Sequence, residues 1–302
     1  MSNPNYLWGI DLGGTKIEGV VLHKHTKEVL FRERIATEAD QGYEHIQNRI
    51  AQLFGKMEAA SPEKCARLGI GTPGAIDPNT RLMKNSNTTC LIGKPFGTDL
   101  TAKLGVDIRF ANDANCFALA EAVMGAVPDV KPDAEVVFGI IMGTGVGGGI
   151  VVNGKVLNGA QGIAGEWGHN FLDDSGGPDY AGLDGCVETI LSGPALERWY
   201  TKLCGEKRGL KDIVARHREG HDAAAKETID RLSTFFAKAI APIINTLDPH
   251  VIVLGGGVSN IDELYTDGVE KTKKHIFNNR LDTLFLKPKL GDSAGVFGAA
   301  LL

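Results

Sequence analysis

The sequence predicts an α/β fold, and three features carry that expectation. Apolar stretches of strand length alternate with longer segments of helical period. Three glycine-rich turns, at 11–16, 143–149 and 255–259, each follow an apolar stretch, where ligands commonly sit in α/β proteins. Positions 8–22 and 138–152 also share one grammar of apolar strand, glycine turn and apolar strand, which points to an internal duplication into two related halves.

Residues 6–10 and 17–22 flank Asp11-Leu12-Gly13-Gly14-Thr15-Lys16, which predicts a hairpin bent at its glycine pair. A turn over 23–27 leads to a third strand over 29–35. Residues 42–60 carry apolar side chains at 46, 50, 53, 54 and 57, a helical period. A short strand over 67–71 ends at Gly71-Thr72-Pro73-Gly74, a sharp turn. The polar loop Asn85-Ser86-Asn87-Thr88-Thr89 precedes a short helix that ends at 100–104 and is closed by Gly105. Residues 106–110 then run into Phe110-Ala111-Asn112-Asp113-Ala114-Asn115, where an extended segment hands over to a helix through 114–125. Asn112 or Asp113 lies near that helix start, where short polar side chains cap unpaired N–H groups. Capping accounts for the pair as well as a functional role does, although a carboxylate at such a junction is held on a fixed frame.

Pro128, Asp129, Lys131, Pro132 and Asp133 break the pattern between 126 and 135 and mark a boundary. A strand follows over 136–142, then the second glycine turn and a return strand over 150–152. Residues 159–178 are irregular and polar, centred on Gly165-Glu166-Trp167-Gly168-His169. Helices are expected over 187–199 with a kink at Pro194, over 210–217, and over 223–247 with a curve near Pro242. A strand over 251–254 opens onto Gly255-Gly256-Gly257-Val258-Ser259; a helix over 264–276, a strand over 283–286 and an Ala-rich helix over 293–302 complete the chain. The expected division is 1–125 with about 290–302 in one lobe, and 126–289 in the other.

At 302 residues, 43% hydrophobic and 23% charged, the chain fits one large soluble domain or two smaller ones sharing a cleft. Its 32 basic and 37 acidic side chains give a net charge of −5, which offers no nucleic-acid surface. No apolar run approaches membrane-spanning length, and Met1-Ser2-Asn3-Pro4-Asn5 does not look like a secretory leader. Cysteines at 65, 90, 116, 186 and 204 form no CxxC pair and read as reduced thiols in a cytoplasmic protein.

Glycine turns let backbone N–H groups approach a phosphate with no Cβ in the way. Thr15 and Thr144 add hydroxyl donors, and Asp11 suits a water on Mg²⁺, which prefers carboxylates and water. The GxxxxGK[ST] spacing is absent, and Gly143-Thr144-Gly145-Val146-Gly147-Gly148 matches GxGxxG only in part. Lys16 fits a solvated turn lysine better than a phosphate contact. A dinucleotide-binding dehydrogenase fails because the glycine turns lead into strands rather than helices.

Taken in order, these motifs resemble the ROK sugar kinases of the actin-like ATPase-domain superfamily, from about residue 8 onward. Gly185-Cys186-Val187-Glu188 and Leu254-Gly255-Gly256-Gly257 complete the set. The resemblance implies a two-lobed actin-like (ribonuclease H-like) ATPase fold with an interlobe cleft, a homodimer, and ATP with Mg²⁺. It implies transfer of the γ-phosphoryl group to the 6-hydroxyl of fructose, glucose or mannose. An N-acetylhexosamine kinase, for N-acetylglucosamine or N-acetylmannosamine, is the alternative, and a non-catalytic sugar-binding or regulatory member a third reading. The family's regulators carry a winged-helix domain ahead of the first glycine motif, and the few residues before Asp11 do not provide one. By the same resemblance Asp113 is the catalytic base, and Asn87, Asn112, Glu166, His169 and Glu188 contact the sugar. Asp11, Gly13, Gly14, Thr15 and Lys16, with Gly143, Thr144 and Gly145, face the nucleotide phosphates, and Gly255, Gly256 and Gly257 lie by the adenosine. The loop 85–89 followed by Gly93-Lys94-Pro95-Phe96 looks like bacterial fructokinase-type members, whereas Asn115-Cys116-Phe117-Ala118-Leu119 looks like N-acetylglucosamine kinases.

Many members bind structural zinc through the Gly-His histidine and three cysteines of a Cys-x-Cys-Gly-x-x-Gly-Cys run. Here that run falls on Asp179-Tyr180-Ala181-Gly182-Leu183-Asp184-Gly185-Cys186, with two cysteines missing. A tetrahedral site takes four good ligands. The sequence offers His169, Cys186 and at most Asp179, so zinc is expected to be absent, with hydrogen bonds and packing holding the 173–186 loop.

Overall fold

The first glycine motif is the bend of a hairpin in the computed structural model, which describes residues 5–179 and 182–302. Met1 to Pro4, Tyr180 and Ala181 lie outside the described residues, and with them the start of the chain and the non-ligating position 181. Strand β1 (Tyr6–Leu12) pairs antiparallel with β2 (Lys16–His23), Leu12 opposite Ile17. β3 (Val29–Ala36) lies antiparallel outside β2, while β4 (Arg67–Thr72) and β5 (Asp107–Asn112) continue the sheet parallel to β1. The order is β3-β2-β1-β4-β5. Parallel neighbours need crossovers, supplied by α1 (Tyr43–Ala60) and α2 (Phe96–Leu104). α1 buries Ile46, Ile50, Leu53, Phe54 and Met57, the expected period.

The second sheet repeats this plan. β6 (Val136–Met142), β7 (Val146–Val152), β8 (Lys155–Val156), β9 (Val251–Gly255) and β10 (Leu284–Leu286) stand in the order β8-β7-β6-β9-β10. Numbered from its own first strand, each sheet reads 3-2-1-4-5, with the last two strands parallel to the first. The grammar shared by 8–22 and 138–152 is thus the opening strand pair of two sheets wound alike.

The helices carry several departures from expectation. α3 (Asp113–Val123) starts one residue early, and 126–130 forms a short helix, α4 (Ala126–Val130), inside the expected break. The stretch 187–199 is two helices, α5 (Val187–Leu191) and α6 (Gly193–Cys204). Ser192 is extended, and its hydroxyl caps α6 by accepting the Ala195 N–H. Pro194 therefore falls in a first turn, where its missing N–H is not needed, so it starts a helix instead of kinking one. α7 (Leu210–Glu219) and α8 (Ala223–Leu247) follow, the latter continuous through Pro242. The helix expected over 264–276 is only α9 (Asp267–Thr272), and the third glycine turn leads into a 3₁₀ turn over Gly257–Asn260 rather than a strand.

Chain contacts divide the protein into two units. The first is Met1–Pro128, Gly149–Ala164 and Lys289–Leu302; the second is Asp129–Gly148 and Gly165–Pro288. Residues 149–164, expected with the second lobe, group with the first unit. Helix α10 (Ala294–Ala300) closes that unit by lying directly on its strands. A Cβ on Gly9 would stand 2.5 Å from the Ala300 nitrogen, and one on Gly69 1.7 Å from the Ala299 carbonyl oxygen. The link to α3 includes Glu121, wholly buried. Its carboxylate accepts the N–H groups of Ala126 at 2.8 Å, Lys289 at 3.1 Å and Leu290 at 2.9 Å. All five cysteines are free. Among the described residues no helix is long and apolar enough to cross a membrane.

Candidate active site

In the first unit, β5 ends and α3 begins at Asn112-Asp113. Asn112 is the N-cap, its Oδ1 accepting the Asn115 N–H at 2.8 Å. Its oxygen is thereby committed to the helix start. Asp113 Oδ1 accepts the Ala114 N–H at 2.8 Å. Asp113 is exposed at its surface, yet the protein mass around its carboxyl removes much of its hydration and raises its pKa, while the Ala114 N–H pulls it back down. Nearby, Asp11 is pushed up to about 7 by burial first, then by the charges of Asp113 and Glu18, with Arg34 opposing. Its carboxyl is packed against two glycines: a Cβ on Gly295 would sit 2.7 Å from Oδ2, and one on Gly71 3.1 Å from Oδ1. Two interacting carboxylates in this setting favour a divalent cation, which would relieve the repulsion.

The first glycine turn is held by its backbone. Gly13 N–H donates to Lys16 O at 2.9 Å, and Thr37 Oγ1 donates to Gly13 O at 2.7 Å. Gly14, Thr15 and Lys16 are exposed. Asn87 is exposed in its loop, donating its N–H to Pro73 O at 3.3 Å. Its neighbour Thr88 is the residue passed over by the sequence reading. Thr88 is buried, its Oγ1 has no hydrogen-bond partner, and that oxygen lies 4.0 Å from where a Cβ on Gly14 would be. Buried hydroxyls are normally satisfied, so this orphan beside the first glycine turn is a candidate partner for a ligand or water. The one sequence signal was its place in a loop of amides and hydroxyls.

A cavity of about 300 Å³ also lies in this unit, lined by Thr72, Ile76, Arg81, Phe110, Asn112 and Asn158 among others. Asn112 thus borders both the helix cap and a recess of mixed polar and apolar character.

In the second unit, the glycine turn between β6 and β7 is braced from two sides. Gly193 N–H donates to Gly143 O at 2.8 Å, and Glu188 Oε2 accepts the Val146 N–H at 2.9 Å. A Cβ on Gly145 would come within 2.7 Å of that Glu188 oxygen. Thr144 is exposed at the tip. Glu166 and His169 flank Trp167, which anchors them: it is 2% exposed, its Nε1 donates to Gly147 O at 3.1 Å, and its ring meets Phe138 edge-on at 5.9 Å. Gly168 presses against β7, since a Cβ there would lie 1.9 Å from Val146 O. Val146 therefore touches both the 165–169 turn and Glu188, which draws the three sugar-contact candidates of this unit to the second glycine turn. Gly255 ends β9, and Gly256, at φ 81°, turns the chain so tightly that a Cβ would meet Met142 O at 2.3 Å. Gly257 is exposed.

The ROK family model matches residues 7–302. An N-acetyl-D-glucosamine kinase of Vibrio parahaemolyticus is 36% identical over 305 residues, 98% of each chain. Among solved structures, a ROK hexokinase of Thermus thermophilus superposes with a TM-score of 0.86 at 29% identity, covering 98% of this chain and 97% of that one. A ROK glucokinase of Streptomyces griseus, in complex with glucose and AMPPNP, gives 0.74 at 26% identity over 98% of both.

The chain belongs to the ROK family. It is a sugar kinase, an ATP-dependent phosphotransferase with the actin-like ATPase fold of that family. As a ROK chain it departs from the zinc pattern, and the structure brings the altered positions together: ligand-capable atoms of His169, Asp179 and Cys186 lie within 4.8 Å of one another. Burial pushes the Cys186 thiol pKa up. These are the three residues that the sequence offered as remnants of the zinc run, Asp179 among them.

Proposed function

We propose that this ROK kinase transfers the γ-phosphoryl group of ATP to a hydroxyl of N-acetyl-D-glucosamine. The observation that carries this reading is the 36% identity over 98% of both chains with the Vibrio parahaemolyticus enzyme of that name. The hexose reading, with glucose, mannose or fructose phosphorylated at the 6-hydroxyl, becomes the second. Its support is the Thermus thermophilus hexokinase at a TM-score of 0.86.

Asp113 acts as general base. Its Oδ1 is held by the Ala114 N–H, which leaves Oδ2 to accept the proton as the sugar oxygen bonds to the γ-phosphorus and the bond to the bridging oxygen of ADP breaks. Its raised pKa makes it a better proton acceptor than an ordinary carboxylate. Asn112, Glu166, Glu188 and His169 contribute hydrogen-bonding groups suited to a polyol. The turn at 13–16 and the turn at 143–145 provide N–H and hydroxyl donors for phosphate oxygens, with Gly255, Gly256 and Gly257 beside the adenosine. Asp11, with Asp113 near it, fits a hydrated Mg²⁺. When bound with ATP, that ion neutralises phosphate charge. The active form is a homodimer in the cytoplasm.

A coupled ATP-consumption assay across N-acetylglucosamine, N-acetylmannosamine, glucose, mannose and fructose, with Mg²⁺, decides among acceptors. The expected result is the highest kcat/KM on N-acetylglucosamine. A higher value on glucose or fructose returns the hexose reading, and no turnover on any of them favours a non-catalytic sugar-binding protein. Light scattering on a sizing column tests the dimer.

A further inference from the structure

We propose that in this chain Asp179 takes the place of a metal ion: its carboxylate orients the His169 ring and holds that ring's proton on Nδ1. The inference rests on the reading of His169 as a sugar contact.

The geometry is that of hydrogen bonding. The Asp179 side chain is fully buried, and His169 Nδ1 lies 2.8 Å from its Oδ2. Cys186 Sγ donates to the same oxygen at 3.6 Å, and the Leu183 N–H donates to Oδ1 at 2.8 Å. Both carboxylate oxygens are thus engaged by donors of the chain itself. Ligands sharing a tetrahedral zinc at about 2.0–2.3 Å stand roughly 3.3–3.7 Å apart. The 2.8 Å between Nδ1 and Oδ2 is instead an ordinary N–H···O distance. Residue 181, where the family's run has a cysteine, is alanine and brings no ligand atom. Three residues with one hydrogen-bonded pair do not fit a closed structural zinc site.

The exchange has a chemical consequence. A metal on Nδ1 forces the proton of a neutral imidazole onto Nε2, which then donates. A carboxylate accepting from Nδ1–H does the reverse and leaves the lone pair on Nε2. His169 in this protein therefore meets a sugar hydroxyl as an acceptor. Asp179 also couples two sugar contacts, because Cys186 caps α5 two residues before Glu188, and the Val187 N–H donates to Asn170 O at 2.9 Å beside His169. Asp179 is a positioning residue.

The test has three arms on the full-length protein. Metal analysis after growth in zinc-supplemented medium should find well under one zinc per chain, and one zinc per chain overturns the proposal. Nitrogen-15 NMR of the histidine rings at mildly alkaline pH, assigned with His169→Gln, should place the His169 proton on Nδ1; a proton on Nε2 overturns it. In kinetics, Asp179→Ala should raise the sugar KM by about tenfold or more with the ATP KM unchanged, whereas Asp179→Asn, which keeps an oxygen acceptor, should restore most of the loss. A wild-type sugar KM in Asp179→Ala sinks the positioning role. If Asp179→Ala does not fold, Asp179→Asn and the first two arms still decide. If no sugar is phosphorylated by the wild type, the proposed function falls while the metal and tautomer arms still judge Asp179.

Discussion

Glu188 Oε2 accepts the Val146 N–H at 2.9 Å, so the first turn of α5 is tied to the glycine turn between β6 and β7. A residue that the family resemblance assigns to sugar binding is also a strut of the second glycine turn. Loss of the acceptor leaves a buried N–H unpaired, at a cost of about 1–3 kcal/mol. Glu188→Ala is accordingly expected to raise the KM for ATP as well as that for sugar, each by about tenfold or more. Glu188→Gln keeps an oxygen for Val146 and should recover the ATP KM. Steady-state kinetics varying each substrate separates the two roles, and a change confined to sugar would remove the strut.

Asp113→Ala removes the proposed base without touching the Asn112 cap. Its kcat should fall by about 10²–10⁴-fold, while sugar affinity measured by calorimetry stays within a few fold. A variant with near wild-type turnover would rule Asp113 out as the base.

Thr88→Val exchanges the orphaned hydroxyl for a methyl group of similar shape. Removing an unsatisfied buried polar group is neutral or stabilising for the fold. Thermal melting without ligands should therefore be unchanged or slightly higher, while kcat/KM drops by about tenfold from one lost ligand hydrogen bond. Unaltered activity would mean that the hydroxyl serves only the loop.

Asp11 makes stability depend on pH. Its folded pKa of about 7 lies above the ordinary aspartate value, so between those two points the folded state holds a proton that the unfolded chain has lost. The contribution is favourable at low pH, declines as pH rises through that window, and is fully lost above about 7; about 4 kcal/mol is its upper bound. Asp11→Asn should melt higher than wild type above pH 7, with the gain shrinking toward pH 4. Equal melting differences at both ends would contradict the assignment. Mg²⁺ with nucleotide should flatten the wild-type dependence by favouring the ionised carboxylate.

Glu121 accepts the Ala126 N–H just beyond the end of α3 and the N–H groups of Lys289 and Leu290. Glu121→Ala leaves these donors buried and unpaired, a loss of about 3 kcal/mol in urea denaturation. Glu121→Gln should retain part of it.

Much of this was written in local pattern. The hairpin around Gly13-Gly14, α1 and α8 followed from glycine placement and apolar period, because both signals are complete within a few residues. The family's six motifs supplied the proposals for Asp113, Glu166 and Glu188. What escaped depended on distant partners. Ser192-Gly193-Pro194 can kink one helix or start another, and only the extended Ser192 backbone decides. Residues 149–164 join the first unit because Gly149 approaches α3 so closely that a Cβ would lie 2.6 Å from Ala114 O, a contact no local signal announces. Asp179 was visible as a missing cysteine, but its bond to His169 was not.

Helix α10 has a consequence for how the protein is made. It seals the sheet of the first unit, yet its residues follow the whole of the second unit in the chain. On the ribosome, β1 and β4 emerge early and must wait for Ala299 and Ala300 to cover Gly9 and Gly69. Gly298, packed within 1.8 Å of the Cys116 carbonyl oxygen if given a Cβ, seats α3 in the same late event. The helix that presents Asp113 is therefore set last. In a stalled or shortened nascent chain, the helix carrying the proposed base Asp113 would lack the contact that seats it.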